Sequence, residues 1–447
     1  MRDIDGTYMS KRKLAFLFII LFALAGLLAF PTLLKAIPPR YAVRLPEPLR
    51  QIALPQDVVP ILPTAAQPLA ANNLLQLPET GGVTAVPVSA PPTLTPPAIT
   101  GQTPKPTIPP TATNTPTITP VPLPQSVRLE GIHHQFQEWN NCGPATLAMT
   151  LSYFGLSLTQ SQTAAVLKPN PEDRNVSPDE MAAYVNNETD LAAITRVNGD
   201  LYTVRRLLAD EIPVILEIGI DPPGEFRWLG WYGHYLLVVA YDDALQQFWV
   251  YDSWFGTSEV PMENATSEGR VLTYDEVAQY WPHFNRNYIA IYQPEQAGKV
   301  ADIIGEEMDD TVMWQNALVE VREETAAQPD NAFLWFNLGT IYNALGQYDE
   351  AATAFDQARS IGLPWRMLWY QFGPYEAYYQ VGRYDDVILL ADTTLKDRPY
   401  FEESFYYKGL ALAALGDTNA ARDNLEKATK FNPNYEPAAI ALAELVR

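Results

Sequence analysis

The chain of 447 residues contains 39 prolines and one cysteine, and its formal net charge at pH 7 is −22. This length predicts two or three domains, and the acidic balance argues against nucleic acid as a partner and provides no basic patch for anionic lipid. The single cysteine excludes a disulfide within the chain and a cysteine-based metal site. The sequence indicates no cofactor and no metal site.

Residues 1–13 form a short N-terminal tail that ends on the basic run Lys11-Arg12-Lys13, and residues 14–34 carry no charge. At about 1.5 Å per residue, the uncharged stretch spans roughly 31 Å, which is enough to cross the hydrocarbon core of a bilayer. We therefore expect an uncleaved transmembrane anchor over residues 14–34; the alternative is a signal peptide cleaved near Ala23-Leu24-Ala25. The basic run favours an N-terminus inside, so the sequence predicts a single-pass protein of the cell membrane with extracytoplasmic domains.

Residues 35–127 are rich in proline and threonine, hold 22 of the 39 prolines and carry few charges. Such a composition cannot bury a core and favours the extended polyproline conformation. The sequence therefore predicts a disordered linker that acts as a semi-rigid stalk between the anchor and the folded part.

Cys142, the single cysteine, lies where a loop changes into a helix. Asn140 and Asn141 end the loop, and an apolar helical pattern then continues until Gly155. At the first turn of a helix, the positive end of the helix dipole and the unpaired backbone N–H groups stabilise a thiolate. A lone thiol could be a buried filler, but this position favours a nucleophile.

Residues 128–297 have the pattern of one α+β domain. After the Cys142 helix, capping residues and apolar spacing predict three more helices, at 157–167, from 177 onward and at 199–208. The period then changes to that of strands, which we predict at 213–218, 235–241, 247–252 and 287–292. This order predicts helices first and an antiparallel sheet afterwards.

His234 begins one predicted strand, and Asp252 ends the next strand after a turn around residue 243. Folding this hairpin about the turn places position 234 opposite position 252 to within a residue or two. A cysteine nucleophile needs a base within hydrogen-bond reach and a third group that holds the base. We expect His234 to be the base and Asp252 the third group. The alternatives are a histidine satisfied at a strand end and an aspartate that initiates a turn.

The other three histidines are weaker candidates for the base. His133 and His134 lie in the loop before the Cys142 helix, and His283 lies in a predicted loop. Four aromatic residues that are near His234 and Asp252 in the sequence could line a cleft or belong to the core. These are Trp228, Trp231, Tyr232 and Trp254.

The runs Trp139-Asn-Asn-Cys142-Gly-Pro-Ala, Gly233-His234 before an apolar strand, and Tyr251-Asp252-Ser253 resemble the double-glycine (bacteriocin-processing) peptidase-like family of papain-fold cysteine peptidases. The resemblance covers roughly residues 130–295. It implies a papain-like fold, with Cys142 as nucleophile, His234 as general base and Asp252 as the group that orients the histidine. It also implies that a glutamine before the cysteine donates to the oxyanion.

That glutamine usually lies six residues before the cysteine, where this chain has Phe136 between Gln135 and Gln137. We choose Gln137 as the oxyanion-hole donor. The Asp-Pro pair usual in the family is Asp252-Ser253 here. Family members that trim Gly-Gly leader peptides are cytoplasmic domains fused to an ATP-driven exporter. This sequence has no Gly-x-x-x-x-Gly-Lys loop and no second membrane region, so we do not expect leader processing.

Residues 298–447 form a repeat array. Asn331–Ala358 match the 34-residue tetratricopeptide pattern, which recurs 36 and then 34 residues further on. In the middle unit Pro374 and Tyr375 replace the usual Leu-Gly pair, and residues 313–329 resemble half of a worn repeat. Stacked repeats expose a concave groove that commonly holds a peptide or a partner protein. The alternative is a scaffold that only packs against the catalytic domain.

The sequence therefore predicts a membrane-anchored, extracytoplasmic cysteine peptidase that hydrolyses peptide bonds through an acyl-enzyme, with repeats that bind a peptide or protein. One alternative is a non-catalytic surface module with a peptidase-like domain, and another is an acyltransferase that uses the same triad. The predicted segments are the tail 1–13, the anchor 14–34, the linker 35–127, the papain-like domain 128–297 and the tetratricopeptide solenoid 298–447.

Overall fold

The structure is a computed structural model, and it describes residues 122–173, 176–221, 230–254 and 268–445, preceded by residues 26, 28–35, 37, 45–53, 61–69, 71 and 74–75. The chain divides into two compact units. The first comprises Met1–Ile61 and Asp221–Gly230, and the second comprises Leu62–Ile220 and Trp231–Arg447. The first unit contains helix α1, Glu47–Ala53, and the second contains the sheet and the repeats.

The expected single-pass anchor and cell-membrane localisation are contradicted. Within the described ranges, no helix is long and apolar enough to cross a membrane. Residues 14–25 and Leu27 of the expected anchor lie outside the described residues. The prediction rested only on the length of the stretch and its lack of charge. The predicted domain boundaries stay predictions.

Residues 126–292 of the second unit form a domain around one antiparallel sheet. Its strands are β1 Ser126–Arg128, β2 Ala192–Arg196, β3 Val214–Ile220, β4 Tyr232–Asp242, β5 Gln247–Asp252, β6 Arg270–Thr273 and β7 Tyr288–Tyr292. The strand order is β2-β7-β3-β4-β5-β6, and β1 pairs with the far end of β4. Because β3 and β7 are buried along their whole length, the sheet forms the middle of the core. The four predicted strands are confirmed; β1, β2 and β6 were not predicted.

Helices surround this sheet, and the sequence predicted most of their starts. They are α2 Cys142–Tyr153, α3 Gln160–Leu167, α4 Pro178–Glu188, α5 Leu201–Ala209, α6 Tyr274–Tyr280 and α7 Ala297–Ile304. The predicted capping box begins α4, because the Ser177 hydroxyl accepts a hydrogen bond from the Glu180 N–H. Asp200 caps α5 in the same way through the Thr203 N–H. The antiparallel sheet with helices agrees with the α+β prediction.

The hairpin of β4 and β5 has a register slightly different from the predicted one. Leu236, not His234, is the direct partner of Asp252, and the register shifts between Val238 and Ala240. The strands pair from Asp242 and Gln247 onward, so the turn lies beyond residue 243. The β-bulge adds one residue to β4 and moves the partner of Asp252 one residue back towards His234. His234 and Leu236 still point to the same face, so the histidine is a diagonal neighbour of Asp252.

The C-terminal part consists of helix pairs. The helices are α8 Asp310–Ala327, α9 Ala332–Ala344, α10 Tyr348–Ile361, α11 Gly373–Gln380, α12 Tyr384–Asp397, α13 Glu402–Ala414, α14 Thr418–Phe431 and α15 Glu436–Leu445. Within the first pair, a Cβ added at Gly339 would lie 2.6 Å from the Phe355 ring, so close packing of α9 on α10 requires glycine there. In the degenerate middle unit, Pro374 lies in the first turn of the short helix α11, because proline is tolerated only at a helix start.

An aromatic cluster joins the sheet domain to the repeats, and we call it the junction cluster. It comprises Trp231, His283, Phe284, Phe333 and Tyr370. The His283 and Phe333 rings stack with centroids 3.8 Å apart, and Trp231 Nε1 donates to His283 Nδ1 at 3.2 Å. The sheet domain and the first repeats therefore share one packed interface.

Candidate active site

Cys142 is the first residue of α2, as the sequence predicted, and it is half-buried. Asn140 precedes it with a φ of 59°, a left-handed conformation that asparagine adopts more readily than most residues. The buried Lys168 ammonium holds this turn by donating to the Asn140 carbonyl oxygen at 2.7 Å and to the Asp173 carbonyl oxygen at 3.0 Å. The turn therefore fixes the thiol at the start of α2, which packs on β4.

His234 lies between Cys142 and Asp252. Its Nε2 is 2.8 Å from Asp252 Oδ1, and Cys142 is near enough to the ring to help raise the pKa of His234. His234 and Asp252 are buried, with exposed fractions of 2% and 0%. Since Asp252 takes Nε2, Nδ1 is the ring nitrogen left for the thiol. The structure thus brings together the three residues that the sequence singled out.

Asp252 is held by more groups than His234. Its Oδ1 also accepts from the Trp254 N–H at 2.8 Å, and its Oδ2 accepts from Arg270 Nη2 at 2.9 Å and from Arg270 Nε at 3.2 Å. Because Arg270 holds Oδ2 while His234 and the Trp254 N–H hold Oδ1, the orientation of the carboxylate is fixed. The aspartate can therefore hold the imidazole in a single orientation.

Burial opposes the charged imidazolium, but the negative charge of Asp252, its hydrogen bond and the interaction with Cys142 outweigh burial and raise the pKa of His234 to about 9. At neutral pH the ring is therefore protonated. An imidazolium beside the Cys142 side chain has the proton that acyl transfer needs for the leaving group.

Gln137 lies beside the turn that follows Asp252. Its side-chain Oε1 accepts from the Ser253 hydroxyl at 2.8 Å, and its backbone N–H donates to the Ser253 carbonyl oxygen at 2.8 Å. With the oxygen occupied, the amide nitrogen is the end of the side chain that can donate. Gln135 is turned elsewhere, because its amide groups bond to Leu158 and Gln160 of the neighbouring segment.

The other three histidines contact other parts of the chain. His134 Nε2 lies 2.8 Å from the Asp252 carbonyl oxygen, and burial lowers the pKa of His134. His283 belongs to the junction cluster, where burial lowers its pKa to about 4. The exposed His133 donates its backbone N–H to the Ser152 hydroxyl. None of the three contacts the thiol among the interactions of the described residues.

The aromatic residues near the site differ in their surroundings. Trp231 is buried in the junction cluster. The Tyr232 ring lies 6.1 Å from the His234 ring, and its buried hydroxyl has no hydrogen-bond partner within the described ranges. The indole N–H of Trp254 is likewise buried without such a partner. Trp228 lies outside the described residues.

Sequence reasoning missed Arg270 and Lys168. Arg270 lies on β6, a four-residue strand too short to give a clear alternating pattern. Lys168 ends α3, and only its burial and its two carbonyl partners reveal its role. Within the described part of the chain, no group of three or more His, Cys, Asp or Glu residues could hold a metal ion.

Comparison with known protein families supports the resemblance seen in the sequence. Residues 129–287 match the Peptidase_C39 like family, and residues 324–353 and 402–435 each match a tetratricopeptide repeat. The chain therefore contains a C39-like peptidase domain followed by tetratricopeptide repeats. No curated protein matches the chain.

Two solved structures resemble parts of the chain. A protein described as a C39-like peptidase from Bacillus anthracis is 14% identical and covers 38% of this chain and 98% of its own, with a TM-score of 0.29. MamA 41-end from Desulfovibrio magneticus RS-1 is 16% identical and covers 30% of this chain and 74% of its own, with a TM-score of 0.27. Similarities at this level define neither a shared fold nor an activity.

Proposed function

We propose that the chain is a cysteine peptidase in which Cys142, His234, Asp252 and Gln137 form the catalytic site. The observation that supports the proposal is the position of His234, whose ring bonds to Asp252 and interacts with Cys142. A nucleophile, a base and a group that orients the base are the set that acyl-transfer chemistry requires.

In the proposed reaction, the Cys142 thiolate attacks the carbonyl carbon of a peptide bond, and the negative charge moves to the carbonyl oxygen. The Cys142 backbone N–H at the start of α2 and the Gln137 amide donate to that oxyanion. His234 gives its proton to the departing amine as the C–N bond breaks, which leaves a thioester. Water, deprotonated by His234, then attacks the thioester and releases the carboxylic acid and the thiolate.

The repeats support a peptide or protein as the substrate class, since tetratricopeptide arrays commonly bind peptides. They pack directly against the strand that carries His234, because the Arg366 guanidinium donates to the Trp231 carbonyl oxygen at 3.0 Å, just before β4. A polypeptide bound along the repeats therefore lies close to the strand that carries His234.

The proposal is tested by exposing a library of proteome-derived peptides to the wild-type chain and to Cys142→Ser, and by identifying new peptide termini by mass spectrometry. We expect cleavage by the wild type alone. Gln137→Ala should lower kcat by about 10²–10³ because one oxyanion donor is lost, whereas Gln135→Ala should change it little. An equal set of termini with Cys142→Ser would refute the peptidase. Products joined to an added amine in place of water would identify an acyltransferase.

A further inference from the structure

Part of the proline-rich region lies on the repeat domain. Residues 62–69, 71 and 74–75, which we call the Pro-Leu segment, contain no charged residue and no helix. Leu62 has an exposed fraction of 1% and belongs to the apolar core of the repeats. Ala71, Leu74 and Leu75 pack against the same core. The segment is therefore docked on the repeats through its apolar side chains.

The repeat domain binds mainly the backbone of this segment. The Leu62 N–H donates to the Leu363 carbonyl oxygen at 2.9 Å, and the Leu69 N–H donates to Asp356 Oδ2 at 2.9 Å. In the opposite sense, Arg359 Nε donates to the Pro63 carbonyl oxygen at 2.7 Å. Farther along, the Tyr342 hydroxyl donates to the Leu74 carbonyl oxygen at 3.3 Å. Recognition of the main chain with pockets for a few side chains is how proteins bind extended peptides.

An ion-pair network holds the side chains that bind the segment. It joins α10 to α12 and to Arg383, the residue before α12. Arg383 Nη1 lies 2.7 Å from Asp356 Oδ2, and Arg359 Nη1 lies 3.0 Å from Asp386 Oδ1. Arg383 also pairs with Asp386 at 2.8 Å, which closes the network. Two arginines balance two aspartates, so the site is electrically neutral. A neutral site suits an uncharged peptide.

We propose that the surface formed by Tyr342, Asp356, Arg359 and Leu363 is a peptide-binding site for extended, uncharged segments of leucine, proline and alanine, and that the Pro-Leu segment is its ligand within the same chain. This site is independent of the proposed peptidase chemistry. Because the ligand is covalently attached, it competes with a free peptide at an effective concentration set by the intervening chain. A free peptide of the same kind binds only when the resident segment is displaced.

The test uses a fluorescent peptide of residues 60–76 titrated against three full-length chains, namely the wild type, Leu62→Asp and Ile61→Asp. Leu62→Asp places a charge in the apolar core and detaches the segment, whereas Ile61 has an exposed fraction of 54% and serves as the matched control. We expect Leu62→Asp to bind the peptide at least tenfold more tightly than the other two chains. A peptide that carries Leu62→Asp should not bind. Equal affinity for all three chains, or equal binding of both peptides, would overturn the proposal.

A second measurement does not depend on the folding of a variant. Hydrogen exchange of the wild-type chain should show protected N–H groups at Leu62 and Leu69, and an excess of the free peptide should reduce that protection. Exchange at the rate of a free peptide would overturn the proposal. A concentration-dependent dimer that Leu62→Asp abolishes would place the segment on a second copy and overturn the assignment within one chain.

Discussion

At the scale of single residues, the candidate site is organised around Asp252. Its carboxylate bonds to the His234 ring, the Trp254 N–H and the Arg270 guanidinium. The ring of His134 lies against the backbone carbonyl oxygen of the same residue. A buried carboxylate needs such partners, since an uncompensated buried charge is strongly destabilising. The partners fix Asp252, and Asp252 in turn fixes the imidazole beside the thiol.

The titration of His234 tests this arrangement. Because the pKa of His234 is raised from 6.5 to about 9, its protonation stabilises the folded chain fully below pH 6.5, and this contribution is lost as the pH rises through 9. In Cys142→Ala the pKa of His234 should fall, because the interaction with the thiol is gone. NMR titration of the imidazole measures both values. A wild-type pKa at or below 6.5 would contradict the arrangement.

At the scale of elements, β3 and β4 carry a second buried acid in the same sheet. Glu217 faces Tyr235 across the strand pair and accepts from Asn287 Nδ2 at 2.6 Å. Burial, opposed by the hydrogen bonds of Asn287 and Tyr235, raises the pKa of Glu217 to about 8. At neutral pH the carboxyl group is therefore neutral in the folded chain, whereas it is ionised in the unfolded chain.

This difference predicts a pH dependence of stability. A raised pKa in the folded state means that the contribution of Glu217 is fully present below about pH 4.5 and is lost as the pH rises through 8. Glu217→Gln should remove a slope of about 1.4 kcal/mol per pH unit in this range and should stabilise the chain near pH 8. Urea unfolding from pH 5 to 8 measures the slope, with the exposed Glu211→Gln as the control. An unchanged slope would show that Glu217 is ionised in the folded chain.

The elements also show how far the sequence predicts the structure. Capping residues and apolar periods located the starts of α2, α4 and α5, and the two-residue period located β4 and β5. The bulge in β4 was invisible, because a register shift depends on pairing and not on composition. Arg270 was missed because its partner Asp252 is reached only through the pairing of β5 with β6.

Composition also concealed the Pro-Leu segment. The prolines of residues 35–127 predict a disordered linker, yet Leu62 is as buried as a core residue of the repeats. Docking of this kind depends on a few contacts with helices that are distant in the sequence. The average composition of residues 35–127 does not reveal such contacts. For the candidate site the outcome is similar, since the sequence singled out the groups that could react and missed those that hold them.

At the scale of the whole molecule, the junction cluster and polar contacts join the sheet domain to the repeats. Arg196 Nη1 pairs with Asp310 at 2.9 Å, and Asn198 Nδ2 donates to Glu307 at 2.8 Å. Arg286 pairs with Glu324. Because the stacked pair of His283 and Phe333 lies between the two parts, we expect them to unfold together.

Phe333→Ala tests this coupling. Removing the half-buried ring should destabilise the chain by roughly 2–4 kcal/mol, since large-to-small changes lose both burial and packing. The pKa of His283, now lowered by burial to about 4, should rise towards 6.5. Val319→Ala, which truncates a side chain with an exposed fraction of 52%, is the control. Thermal unfolding and histidine NMR measure the two effects, and equal behaviour of both variants would contradict a shared interface.

The most direct test of the proposed chemistry is the rate of Cys142 alkylation by iodoacetamide between pH 5 and 10. In the wild type we expect rapid alkylation already at pH 6, because the His234 imidazolium stabilises the thiolate. In His234→Ala the rate at pH 6 should fall at least tenfold, and the profile should rise only near the range of a free thiol, about 8.5; His133→Ala should retain the wild-type profile. Identical profiles for the wild type and His234→Ala would contradict the account.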